Sequence, residues 1–215
     1  MDPLLGSARQ ADSVVVLDFE TTGLSPALGD RTIEIGAVRL ENGQVKDKFQ
    51  SLMNPGVPIS SFIESFTGIT NEMLDDAPSC QDAMIGLLSF LGDTDVVAHN
   101  ASFDRRFLES EMSLIQRQYH GAFICSMLAA RRVYQDLPNH RLGTLVEYRN
   151  ISNDGVFHRA LADAEMTAQL WLGMLAAIED EYGFDGISVE LMQKLTRTPK
   201  KKVGKFLEKQ REIRT

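Results

Sequence analysis

The sequence has few cysteines and no long apolar run. Its 215 residues include two cysteines, Cys80 and Cys125, whose separation matches no metal-ligand or redox spacing. A disulfide framework is therefore excluded, and we expect both thiols to be reduced and buried. No segment approaches the roughly 18 apolar residues that cross a bilayer, and Met1 to Asp12 lacks the basic-then-apolar order of a secretory signal. We predict a cytoplasmic protein without a membrane partner.

Positive charge is scarce outside the C-terminal end. The chain has 22 Lys and Arg against 30 Asp and Glu, a net charge of −8. Residues 196–215 carry eight Lys and Arg against two Glu, a net +6, so the first 195 residues carry −14. An acidic body argues against a polyanionic partner unless its carboxylates surround divalent cations, which reverse the local sign. The basic end has two interpretations, a solvated tail or a segment that contacts phosphates.

Hydrophobic patterning predicts an α/β domain. Apolar, β-branched runs predict strands at Ser13–Phe19, Thr32–Leu40, Val45–Met53, Asp95–Ala98 and around Ile124. Periodic segments predict helices at Ile59–Phe66, Asn71–Leu74, Ser79–Leu91, Ser102–Met112, Met127–Tyr134, Leu142–Tyr148 and Arg159–Glu179. The turn signal Glu41-Asn-Gly-Gln44 makes the third strand antiparallel to the second. Three early strands followed by alternating helix and strand indicate a mixed central sheet of about five strands, flanked by helices.

We expect three parts along the chain. Residues 1–12 form an N-terminal extension, residues 13–180 form the folded domain, and residues 181–215 form a basic C-terminal tail that is partly helical or disordered.

Two acidic residues end the first predicted strand, in Asp18-Phe-Glu20. Side chains alternate along a strand, so Asp18 and Glu20 point to one side while Phe19 points into the core. A divalent cation removes the repulsion between neighbouring carboxylates, and Mg²⁺ or Mn²⁺ suits oxygen ligands. The following Thr21-Thr-Gly23 offers hydroxyls and backbone N–H groups to a phosphate or a terminal sugar. A solvated acidic strand end is the alternative.

A second polar cluster, His99-Asn-Ala-Ser-Phe-Asp104, lies where the strand at Asp95–Ala98 passes into a helix. Such junctions commonly bind ligands in open α/β sheets. Asp104 is expected in the first helical turn. Its favourable interaction with the helix N-terminus is the alternative explanation for its charge.

The third cluster is His158-Arg-Ala-Leu-Ala-Asp163. Five helical steps rotate by roughly 140°, so His158 and Asp163 would not share one face of a regular helix. We therefore expect His158 on the preceding loop, folded back toward Asp163 on the second helical turn. A histidine beside a carboxylate–metal site can take a proton from water. An ordinary exposed loop histidine is the alternative.

Taken in order, the three clusters read Asp-x-Glu-Thr-Thr-Gly, His-Asn-Ala-x-Phe-Asp and His-x-Ala-x-x-Asp. This combination resembles the DEDDh 3′–5′ exonucleases of the ribonuclease H-like superfamily, most nearly the proofreading epsilon subunit of bacterial DNA polymerase III. The resemblance covers roughly Val14 to Ala177. Phe66-Thr-Gly-Ile-Thr70 adds a match to the segment that touches the terminal base in this family. The resemblance to this family implies a ribonuclease H-like fold and the removal of nucleotides from a 3′ end.

The resemblance also implies roles for individual residues. The implied metal-binding carboxylates are Asp18, Glu20, Asp104 and Asp163, with His158 as the general base. Positions that support the metal ligands or lie around the terminal nucleotide are implied for Thr21, Thr22, Ile69, Asn100 and Phe103. The implied cofactors are two Mg²⁺ or Mn²⁺ ions, the substrate is a single-stranded or frayed 3′ end of DNA, and the products are nucleoside 5′-monophosphates.

Several alternatives stay open at this point. An RNA 3′ end is an alternative substrate, because recognition of a 2′-OH needs only one or two contacts. A nucleic-acid-binding module that has lost catalysis is another, although all five residues of the implied site are present. No clamp-binding peptide is evident, so polymerase association and a stand-alone role in repair or turnover are both possible. Phe and Leu residues within Ser102–Tyr119 would fit either a homodimer contact or core packing.

Overall fold

A computed structural model describes residues 9–152 and 158–214 of the protein. The strands are β1 (Val15–Thr21), β2 (Thr32–Glu41), β3 (Gln44–Leu52), β4 (Val96–Ala98) and β5 (Phe123–Cys125). The helices are α1 (Ser61–Thr67), α2 (Asn71–Asp75), α3 (Cys80–Leu91), α4 (Ser102–Leu114), α5 (Ser126–Val133), α6 (Leu142–Tyr148), α7 (Ala160–Tyr182), α8 (Val189–Arg197) and α9 (Val203–Arg214). Single 3₁₀ turns lie at Pro26–Leu28 and Lys200–Lys202.

The five strands form one mixed sheet in the order β3-β2-β1-β4-β5. β1 and β2 are antiparallel, as are β2 and β3, whereas β4 is parallel to both β1 and β5. The predicted mixed sheet and the predicted antiparallel pairing of the second and third strands are confirmed. β1 is the central strand, so groups at its carboxyl end lie in the middle of one sheet edge.

Alternating side chains of β1 pack on opposite faces of the sheet. Val16 packs with Trp171 of α7 on one face. Leu17 and Phe19 pack with helices α3 and α4 on the other. Burying each such side chain contributes roughly 1.5–3 kcal/mol, which explains why a strand apolar at almost every position becomes the centre of the sheet.

The start of α7 packs directly onto β2 at Gly36. A Cβ atom on Gly36 would lie 2.1 Å from the backbone carbonyl carbon of Ala160. Only glycine allows so close an approach between a strand and a helix terminus. This contact holds the first turn of α7 against the sheet, next to the end of β1.

Residues near both chain ends share the core. Ala11 and Leu207 belong to the same buried cluster, in which Leu195 and Val203 anchor α8 and α9. The basic segment is therefore helical over 189–197 and 203–214 and packed through its apolar residues. The division at residues 13 and 180 stays a prediction.

Two further observations concern the cysteines and membranes. Cys80 and Cys125 are both free thiols, but only Cys80 is buried; the expected burial of Cys125 is wrong, since this residue of the short edge strand β5 is half-exposed. Within the described residues, no helix is long and apolar enough to span a bilayer.

Candidate active site

The carboxyl end of β1 carries Asp18 and Glu20 on the same side of the sheet. In the β1–β2 register Asp18 is opposite Gly36 and Glu20 is opposite Glu34. Phe19, between them, is 4% exposed and lies in the core, as the alternation predicted. Both acids line a cleft of about 560 Å³ at this sheet edge.

Asp104 reaches the same cleft from α4. It lies in the first turn of the helix, as predicted, and is only 2% exposed. Interaction with the backbone N–H groups of Asp104 itself and of Phe19 partly offsets the effect of burial on the pKa of its carboxyl group. Asp104 is therefore fixed against β1 rather than extended into solvent.

Asp163 completes the group from α7. It lies in the first turn of this helix rather than the second, because α7 begins at Ala160. Its Oδ2 accepts a hydrogen bond from the backbone N–H of His158 at 3.2 Å. Its Oδ1 is buried and has no hydrogen-bond partner among the described residues. A buried carboxylate oxygen without a partner is costly unless a cation or water completes it.

His158 lies on the loop before α7, folded back toward Asp163 as predicted. Its backbone is left-handed, with φ 62°, a conformation that residues other than glycine adopt at a cost. Its ring packs on Phe66 of α1 with a centroid separation of 3.9 Å. Three potential metal-ligand atoms lie within 4.8 Å of one another, one each from Glu20, His158 and Asp163.

Burial raises the pKa values of all four carboxyl groups, and repulsion from neighbouring acids adds to this effect at Asp18, Glu20 and Asp163. The pKa of Asp18 is raised by burial and then by Asp104, Asp163 and Glu20. Burial followed by the charge of Asp163 raises the pKa of Glu20 to about 8. Burial raises the pKa of Asp104 to about 7 and that of Asp163 to about 6. No described cation pairs with any of the four in a salt bridge.

These features fit a divalent metal ion. The ligand set is oxygen-rich, which suits Mg²⁺ or Mn²⁺. The unpartnered Oδ1 of Asp163 provides a free acceptor. A cation would also remove the repulsion that raises the carboxyl pKa values.

His99 lines the cleft but serves a structural purpose. Its Nε2–H donates to the carbonyl of His140 at 3.0 Å, and its Nδ1 accepts from the Ser126 hydroxyl at 2.9 Å. Burial lowers the pKa of His99 to about 4, so the ring is neutral. Because both ring nitrogens already form hydrogen bonds within the fold, His99 connects the end of β4 to the start of α5.

The residues predicted around the terminal nucleotide divide into two sets. Thr21, Thr22 and Phe103 line the cleft, although the Thr21 hydroxyl already donates to the carbonyl of Gly23 at 2.6 Å. Asn100 is exposed but is not among the cleft-lining residues. The side chain of Ile69 is 0% exposed and packs with the apolar residues of α1 and β2, and its place near the terminal nucleotide stays a prediction.

Three parts of the site were not identified from the sequence: the apolar mouth of the cleft, the close contact at Gly36, and one ion pair. Leu24 and Phe62 are 79% and 70% exposed at the mouth of the cleft. Phe62 stacks with Phe66 at 5.9 Å, and the i, i+4 spacing of two aromatic residues on a short helix could have signalled this. Gly36 and the ion pair between Arg159 and Glu34, 2.8 Å apart, carried no local signal because they join distant segments.

Comparisons with known proteins agree with this geometry. The profile of the RNase_T family, described as exonuclease, matches residues 15–171. DNA polymerase III PolC-type of Caldanaerobacter subterraneus subsp. tengcongensis is 38% identical over 174 residues, covering 81% of this chain and 12% of that protein. The PolC-type enzyme of Bacillus subtilis is 40% identical over 168 residues, covering 77% and 12%. The chain thus spans about an eighth of the length of these relatives.

Solved structures show the same fold. Exonuclease X in complex with 5′ overhanging duplex DNA superposes with a TM-score of 0.66 at 29% identity, over 85% of this chain and 99% of that one. The nuclease domain of 3′hExo, a DEDDh family member bound to rAMP, gives a TM-score of 0.67 at 23% identity, over 77% and 92%, and supports the fold alone. The predicted ribonuclease H-like fold is confirmed. The chain belongs to the RNase_T exonuclease family.

Proposed function

We propose that the protein removes nucleotides one at a time from the 3′ end of single-stranded or frayed DNA. One observation carries this proposal: four carboxylates from β1, α4 and α7 converge on one cleft, with His158 beside them. The names of the PolC-type relatives support DNA rather than RNA as the substrate.

In this proposal the four acids, Asp18, Glu20, Asp104 and Asp163, hold two Mg²⁺ or Mn²⁺ ions. When bound, the ions activate a water and neutralise charge on the scissile phosphate. Burial lowers the pKa of His158, so its neutral form is available at pH 7 to accept the proton of the attacking water. The water oxygen would bond to phosphorus while the bond to the 3′ oxygen breaks; that oxygen takes a proton from solvent to give a new 3′-OH end, and a nucleoside 5′-monophosphate leaves.

The mouth of the cleft supports a single-stranded substrate. Leu24, Phe62 and Phe66 present exposed apolar surface there. Bases stack on aromatic side chains for roughly 1–3 kcal/mol each with little sequence preference. A terminal base must leave its duplex to reach these rings, so a frayed or mispaired 3′ end would be favoured.

Digestion of 5′-labelled oligonucleotides tests the proposal. With Mg²⁺, single-stranded DNA should give a ladder that shortens from the 3′ end, and chelator should stop it. Internal fragments, or digestion unaffected by chelator, would refute the mechanism. Faster digestion of a matched RNA would reassign the substrate.

A primer with a mispaired 3′ end extends the test to proofreading. Faster removal of the mispaired nucleotide than of a paired one, with restored extension by a polymerase, is the expected result. Equal rates on both primers would instead favour a role in general nucleic-acid turnover.

A further inference from the structure

The C-terminal part of the protein presents a set of exposed basic side chains, beside the exposed acids Glu208 and Glu212 of α9. Its members are the exposed side chains of Arg131, Arg197, Lys200, Lys201, Lys202, Lys205 and Lys209, which we name the basic surface. None of them forms a salt bridge with a described residue. The first 195 residues carry −14, so this concentration of unpaired positive charge stands against the sign of the body.

Packing fixes the basic surface in place. Val203 and Leu207 are 4% and 1% exposed and anchor α9 in the core. The Arg132 Nε donates to the carbonyl of Thr198 at 3.1 Å, and the Gln135 amide donates to the carbonyl of Lys200 at 3.2 Å. These bonds join the end of α5 to the turn at Lys200–Lys202, so the lysines project from a held backbone.

α5 connects the cleft to the basic surface. Its first residue, Ser126, hydrogen-bonds the cleft-lining His99, and its last turn carries Arg131 and Arg132. Eight helical residues span about 12 Å. At roughly 3.4 Å of rise per nucleotide along a strand, the length of α5 itself corresponds to about four nucleotides.

We propose that the basic surface binds the phosphate backbone of the substrate strand, several nucleotides to the 5′ side of the end held in the cleft. This inference rests on the proposed function. Lys and Arg side chains supply most of the affinity for phosphate backbones. Lysine, in contrast, is depleted at protein–protein interfaces, which favours a nucleic acid over an acidic protein as the occupant.

The test uses the full-length protein and compares its hydrolysis of a long and a short DNA substrate. The variant K200Q/K201Q/K202Q should show a KM for a 20-nucleotide DNA about tenfold above that of the unaltered protein, with kcat unchanged. On a single strand, each phosphate contact contributes about 0.7 to the slope of log KM against log salt concentration. Loss of three contacts should therefore lower this slope by about 2. A trinucleotide, which fills only the cleft, should be hydrolysed equally by both proteins.

A charge-matched control is available on the exposed strand β3. The variant Q44E/K46E lowers the net charge by the same amount and should leave both substrates unaffected. The variant K205Q/K209Q, on α9, repeats the test if the triple variant has a lowered melting temperature. An unchanged KM for the long DNA in both basic-surface variants overturns the inference, even if binding of an acidic protein is lost. Failure of the unaltered protein to hydrolyse the 20-nucleotide DNA would instead count against the proposed function.

Discussion

Buried carboxylates occupy two different environments in this molecule. Glu34 and Glu111 are 0% and 2% exposed, and each is held by an arginine at 2.8 Å. The acids of the cleft are comparably buried at Glu20, Asp104 and Asp163, yet no described arginine or lysine pairs with them in a salt bridge.

Partners, rather than burial, therefore separate the two groups. The Glu111 carboxylate accepts two hydrogen bonds from Arg31 and one from the backbone N–H of Thr32. In the cleft, carboxylates face other carboxylates and their pKa values rise. An acid with an arginine joins segments of the fold, whereas acids that repel one another form a site for cations.

The largest expected effect is on catalysis at the centre of the cleft. Asp18→Asn keeps the shape of the side chain but removes a charge from the middle of the ligand set, so activity should fall at least about 10⁴-fold, as when an essential group of a catalytic set is removed. Steady-state hydrolysis of labelled DNA measures this. Near-normal turnover in a folded Asp18→Asn protein would show that the cleft is not the metal site.

Removal of the proposed base should have the next largest effect. His158→Ala should slow turnover by roughly 10²–10⁴-fold and lower the melting temperature only slightly, since the residue is largely exposed and its ring contact with Phe66 is the main packing lost. Single-turnover rates at saturating Mg²⁺ measure the chemical step. A loss of less than about threefold would assign proton transfer to another group.

An arginine-paired acid should show the opposite behaviour. Glu111→Gln weakens the bonds to Arg31 and Thr32 and should lower the free energy of unfolding by about 1–3 kcal/mol, with activity retained. Glu109→Gln on the same helix is the matched control, because its pair with Arg105 is exposed and worth at most about 0.5 kcal/mol. Chemical denaturation measures the free energy of unfolding of both variants. Equal values for Glu111→Gln and Glu109→Gln would contradict the structural role assigned to the arginine-paired acid.

The two environments also predict how stability depends on pH. The folded-state pKa values of Glu20, Asp104 and Asp163, about 8, 7 and 6, lie above their ordinary values near 4. The folded, metal-free protein therefore holds more protons than the unfolded chain, and its stability should fall as pH rises from 5 to 8.

Metal should reverse that loss. At pH 8, Mg²⁺ at a hundred times its Kd should stabilise the protein by about 2.7 kcal/mol. Melting curves in chelator and in Mg²⁺ at both pH values measure the effect. A melting temperature in chelator that is flat or rises toward pH 8 contradicts the proposed repulsion.

The smallest effect is expected from the ring that packs on His158. Phe66→Ala removes a contact between rings that is worth about 0.5–1.5 kcal/mol, so kcat should fall roughly 2- to 10-fold. Phe66→Tyr keeps the ring and should restore the rate. If alanine and tyrosine variants are equally slow, the contact does not position His158.

Much of the fold could be predicted because its signals are local. α6 spans Leu142–Tyr148 as predicted, and the Ser79 hydroxyl accepts from the backbone N–H of Asp82 at the start of α3 as a helix N-cap. The helical packing of the basic segment was harder to predict, since Leu195 and Leu207 are buried only by contact with distant elements.

The candidate site divides in the same way. Alternation along β1 was enough to place Asp18 and Glu20 on one side, and the loop position of His158 followed from helical periodicity. The burial of Ile69 and the closure of α7 onto Gly36 depend on residues far away in the chain, so no spacing rule could show them.

The sequence alone determined the residue types, their order and the family, because strand alternation, helix periodicity and three short motifs are properties of neighbouring residues. Only the tertiary structure decided which carboxylates would be paired. Glu34 and Glu111 meet arginines 125 and 80 residues away, while the four acids of the cleft meet one another. Which charges share a small volume depends on how the chain returns to the sheet, and that volume sets the electrostatics.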